Sequence, residues 1–173
     1  MGVLRRADFY YGSMLSYLIN KGLAPAIIEP GEDRRIYSLS TNHGDFQIYA
    51  KYLSMPARRR RQGSSIKIWN FSFTPDEVKS IKEHLDGWGN MYFALICGQE
   101  RLQDSEIAFV SLGQALECLD LEYKRDSYRI SVRWESGLHG LKVYGTGISD
   151  INAIRVSRDA LTEYMLMENI KSS

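Results

Sequence analysis

The sequence predicts a single α+β domain over residues 1–173, a mainly antiparallel sheet of hairpins flanked by about four helices. Three observations predict it. Short β-branched and aromatic runs recur between turn residues, helical apolar spacing is confined to separate stretches, and no low-complexity linker divides the chain. At 173 residues, 44% hydrophobic and 25% charged, the chain is long enough to bury a core without staples and too apolar to stay disordered.

In chain order, Tyr11, Met14, Leu15 and Leu18 fall at i, i+3, i+4 and i+7. That spacing predicts a helix over 8–20, with Asp8 as N-cap, Gly22 just past its end and Pro25 blocking continuation. The runs PAIIE, RIYSLST, DFQIYAKYL and IKIWNFSF then predict four successive strands in a meander. Their separators are PGED, NHG and a long loop, MPARRRRQGSS. Thr74 as N-cap, Pro75 at the first helical position and Glu77 closing a capping box predict the next helix, with Phe73 and Val78 as a hydrophobic staple. Strands MYFALIC and EIAFV follow, and Ser111 caps a short helix. YRISVRW and LKVYG predict a hairpin through ESGLHG. INAIRV is a further strand, and Ser157 caps a last helix that turns Leu161, Tyr164 and Met165 inward.

The formal net charge of +1 gives no global field, so contact with nucleic acid or an anionic surface must come from a local patch. Cys97 and Cys118 lie in separate apolar contexts and read as buried small hydrophobes, which fits a reducing, cytoplasmic location. The apolar N-terminal stretch is broken by Asp8, Gly12, Ser13 and Ser16, unlike a secretory signal, and no run approaches a membrane span. No membrane partner is expected. The chain carries no phosphate-cradling G-x-x-x-x-G-K-[ST] loop, no G-x-S-x-G and no H-E-x-x-H. With three histidines and no C-x-x-C pair, no metal site and no cofactor are expected.

The conspicuous local feature is Arg58, Arg59, Arg60 and Arg61, which with Lys51 and Lys67 puts six positive charges and no acid into 51–67. Two readings follow. The planar guanidinium forks can take phosphates, with Trp69 on the next strand stacking a base; or the run is a solubilising loop that blunts a sheet edge. Asp45, Gln47 and Lys51 share one face of a strand, where an acid and a lysine could converge.

The order helix, strands, helix, strand over 7–98 is similar to the core of the PD-(D/E)xK nuclease-like superfamily, with 99–173 an extension of the same domain. YYGSMLSYLINKGLAPAII resembles its leading helix and entry strand, and IYAKY resembles the strand that ends in the catalytic lysine, at Lys51. Asp8 approximates the acid of the leading helix. The acid two residues before the lysine is replaced by Tyr49, and RIYSLST offers only Tyr37 or Ser38 where another acid belongs. The resemblance therefore implies a catalytically degenerate member that binds nucleic acid without cutting it, with magnesium relevant only if the site is active. The alternative is a regulatory or protein-interaction module, self-associating as a homodimer or holding a protein partner, for which eleven tyrosines suit an interface.

Overall fold

The computed structural model describes residues 2–41, 44–85, 90–161 and 163, without the side chains of Arg61 and His84. Within them the chain forms three helices and ten strands, and the strands divide into two five-stranded sheets. None of the described helices is long and apolar enough to cross a membrane.

The N-cap of helix α1 (Arg6–Asn20) is Arg5, three residues before the expected Asp8. Asp8 sits inside the first turn, where its carboxylate accepts from the backbone N–H of Arg5 at 2.8 Å. Strands β1 (Ala24–Glu29), β2 (Arg35–Thr41) and β3 (Gly44–Leu53) form the antiparallel meander. Helix α2 (Pro75–His84) then carries the chain to β6 (Met91–Cys97), which runs parallel to β3, and β7 (Glu106–Ser111) pairs antiparallel with β6. A parallel neighbour requires such a crossover, whereas each antiparallel one needs only a turn.

Between β3 and α2 the chain leaves this sheet, which corrects the expected four-strand meander. Strands β4 (Ala57–Arg61) and β5 (Ser64–Phe73) belong to a second sheet of order β10-β9-β8-β5-β4, completed by β8 (Tyr128–Glu135), β9 (Leu141–Gly145) and β10 (Ile154–Val156). The expected long arginine loop is therefore a strand. Gln62 (φ 51°) and Gly63 (φ 80°) supply the two positive φ values that a two-residue hairpin turn demands. Helix α3 (Leu112–Leu119) begins at Ser111, whose hydroxyl accepts from the Gln114 N–H at 3.2 Å, as its sequence predicts. Val156 is followed by a helical turn at 160–161; Tyr164, Met165 and the rest of the expected last helix lie outside the described residues, as does His43.

One apolar core joins the layers. The β3 residues Ile48, Ala50 and Tyr52 face α1, where Tyr52 stacks on Tyr10 with ring centroids 4.8 Å apart. The alternate residues face the second sheet: Tyr49 packs on Phe73 of β5 (6.1 Å) and on Phe93 of its own sheet neighbour β6 (4.9 Å). Alternation thus leaves Tyr49 and Lys51 side by side between the two sheets.

Candidate functional site

Lys51 is only 7% exposed. Its ammonium donates to the Ser72 carbonyl at 2.6 Å and to both carboxylate oxygens of Glu77 at 3.0 Å, and lies 4.5 Å from the Phe73 ring centroid. Glu77 comes from the first turn of α2. Thr74 does cap that helix, its hydroxyl accepting from the Glu77 N–H at 3.1 Å. The Glu77 carboxylate, however, turns away from the cap to Lys51, and also accepts from the Tyr49 hydroxyl at 2.6 Å. Arg34 donates to the Tyr49 oxygen at 3.2 Å and to Glu29 at 3.0 Å, extending the network to the end of β1.

Burial lowers the pKa of the Lys51 ammonium from its ordinary value, against the upward pull of Glu77. Burial and the neighbouring Glu77 charge push the Tyr49 phenol well above its ordinary range. The Ser72 carbonyl and the two Glu77 oxygens surround the ammonium as its acceptors. The Lys51 ammonium is thus committed to Glu77 and Ser72 and not offered to a phosphate.

A cleft of about 450 Å³ opens beside this pair, lined among others by Arg6, Glu32, Asp33, Lys51, Ser72 and Glu77. Asp8 and Asp45 do not line it. Asp8 binds Arg35 at 3.2 Å, and the hydrogen bond from the Arg5 N–H, followed by that from Arg35, holds its carboxyl below the usual range. Asp45 is exposed at the opposite end of β3, opposite Ser40 and six residues from Lys51, a separation of ~20 Å along a strand. The three candidate residues do not converge. The carboxylates beside Lys51 are instead Glu77, which sequence reading assigned to a capping box, and Glu32 and Asp33, which it assigned to a turn. Among the described residues no group of three or more histidine, cysteine, aspartate or glutamate side chains is disposed to hold a metal.

The arginine run lies elsewhere, on β4 at the edge of the second sheet. Arg58, Arg59 and Arg60 are exposed; the Arg61 side chain is outside the described residues. Among the described residues no carboxylate forms an ion pair with these three. Arg58 stands opposite Lys67, a repulsive arrangement. Lys67 is tied down separately, donating to the Gln99 side-chain oxygen at 2.7 Å and lying 4.6 Å from the Trp134 ring centroid. Trp69 is 0% exposed and its indole N–H donates to the Gly98 carbonyl at 2.8 Å, so it belongs to the core and cannot stack a base. Of the candidate nucleic-acid residues, Lys51 and Lys67 are engaged internally and Trp69 is buried, while Arg58, Arg59 and Arg60 point to solvent.

Arg59 also borders a cleft of about 290 Å³ on the outer face of the second sheet, with Asn70, Arg129, Tyr144 and Asp150 among its walls. Sequence reading missed Arg129, because one arginine in an alternating strand carries no distinguishing signal. No protein-family model, curated protein or solved structure matches the chain.

Proposed function

We propose that this chain is a nuclease-like domain that contacts nucleic acid through the β4 arginines and does not cut it. The carrying observation is that Arg58, Arg59 and Arg60 stand exposed on an edge strand without a pairing carboxylate. Free guanidinium forks on an edge suit phosphate oxygens, which position a nucleic acid without reading its sequence. Two observations support the absence of cutting: Tyr49 occupies the place of an acid, and Lys51 is neutralised by Glu77. Replacing Arg58, Arg59, Arg60 and Arg61 by alanine should weaken binding to unrelated oligonucleotides alike. No binding by the intact protein at low salt would refute the reading.

A second reading, an interaction module, is favoured by β1. Ile27 and Ile28 are each 53% exposed on this outer strand of the first sheet, beside a register shift. An edge of this kind can pair with another chain. A concentration-dependent dimer that an Ile27→Lys/Ile28→Lys variant abolishes, in a protein that ignores oligonucleotides, would select it.

A further inference from the structure

The second sheet has two chemically opposite faces. Toward the core it presents Trp69, Phe71, Ile130, Val132 and Val143, all buried. Toward solvent the same strands present cations around the buried Ile66, Ile68 and Tyr144. Pairing aligns Arg133 of β8 with Lys142 of β9, and Lys142 with Arg155 of β10, so these three side chains form one row across one face. Arg129 lies on the same face four residues along β8, ~13 Å from Arg133, and adjacent strands step by ~4.8 Å. Arg59 joins the face from β4, opposite Ile66. Arg59, Arg129 and Arg155 are exposed, as are the neutral Asn70 and Ser72 between them.

Clefts mark both ends of this row. At one end lies the 290 Å³ cleft between Arg59 and Arg129. At the other, Lys142, Arg155 and His139 border a cleft of about 220 Å³ beside the β8–β9 turn. Two acids face the row: Asp150, which pairs with Arg133 at 3.6 Å, and Glu135, opposite Ile66. Arg129, Lys142 and Arg155 make no ion pair among the described residues.

Building on the proposed nucleic-acid contact, we infer that the outer face of the second sheet is the path of a single-stranded phosphodiester backbone, running from Arg59 and Arg129 to Lys142 and Arg155. Charge complementarity selects a polyanion, and separated cations along a sheet face suit a backbone that is tracked. The hairpin geometry disfavours a duplex read by a ribbon in its groove. A two-stranded ribbon can enter the major groove of a duplex, but β5 is paired on its far side with β8 from Ile66 onward. Little beyond the Gln62–Gly63 turn is therefore free to enter a groove. The Tyr144 ring on this face is 9% exposed, which leaves the cations as the contacts, and cation–phosphate contacts carry no base information, so binding is indifferent to base sequence.

The test titrates labelled single-stranded and duplex oligonucleotides of equal length with the intact protein, with Arg129→Ala and with Lys142→Ala/Arg155→Ala. Equal thermal midpoints confirm that the variants fold. The single strand should bind more tightly, and the double variant should flatten its log–log salt slope by ~1.4, at ~0.7 per lost phosphate contact on single strands. Binding that the β4 alanine variant weakens but these variants leave unchanged would overturn the path while sparing the contact through β4. A preference for the duplex would overturn the single-stranded occupant. Absence of binding by the intact protein would overturn both readings.

Discussion

Removing the Glu77 carboxylate would take from Lys51 its hydrogen-bonded counter-ion and leave only the carboxylates across the cleft, Glu32 and Asp33. The side chains of Lys51 and Glu77 are 9% and 12% exposed, so water can replace little of what the ammonium loses. Breaking one partner of a buried pair costs ~3–5 kcal/mol. For a chain of this length that corresponds to a fall in Tm on the order of 6–20 °C, at ~2–4 °C per kcal/mol. Glu77→Ala should show this loss in urea unfolding as a lowered midpoint at constant slope. Lys51→Met/Glu77→Leu, which fills the space with apolar groups, should return to within ~1 kcal/mol of the parent or exceed it. Lys51 also sets a pH signature. Burial lowers its pKa below 10.5 in the folded chain, so just below that pH the unfolded chain binds more protons than the folded one. Stability owed to Lys51 therefore rises as pH climbs toward that value, and Lys51→Met should abolish the rise. A Glu77→Ala variant within ~1 kcal/mol of the parent, or single-variant losses that add in the double variant, would refute a coupled buried pair.

Further outcomes follow from other residues. Thr74→Ala should cost ~1 kcal/mol by removing the cap of α2; an unchanged unfolding midpoint would contradict the observed hydrogen bond. Cys97 and Cys118 are buried, and burial pushes the Cys118 thiol up to about 12 and Cys97 well above its ordinary value. Neither should react with a thiol reagent until the chain unfolds, and rapid labelling of either would contradict the packing. Purified protein should not cleave DNA or RNA in magnesium or manganese. Cleavage lost in both Lys51→Ala and Asp33→Asn would make the cleft a working active site.

Local chemistry made most elements legible. The capping residues Thr74 and Ser111 and the apolar spacing of α1 follow from short-range rules, and the structure keeps them. Two features depend on tertiary partners and were not legible. IKIWNFSF reads equally well as the next strand of a meander or the first of a new sheet, since alternation fixes a face and not a neighbour. The arginine run reads as a repelling loop, yet an edge strand leaves Arg58, Arg59 and Arg60 in solvent and the Gln62–Gly63 turn closes the hairpin. At the site, the strand position of Lys51 was legible, but its engagement by Ser72 and Glu77 was not. Glu77 was not recognised as its partner, because a carboxylate at that helical position can serve the cap or reach across to another element. Asp8 was misleading because a helix position does not say which part of a sheet its side chain meets; Asp45 was misread, since six residues along one strand already put it ~20 Å from Lys51 whatever face they share.

The measurement that bears most directly on nucleic-acid contact through β4 is the salt dependence of oligonucleotide binding by the intact protein and by the variant with alanine at 58–61. If the exposed arginines neutralise phosphates, affinity for a single strand falls as salt rises, by ~0.7 log–log units per contact, and the variant is shallower by up to ~2.8. Equal slopes for the two proteins, or no binding by the intact protein at low salt, would contradict that contact.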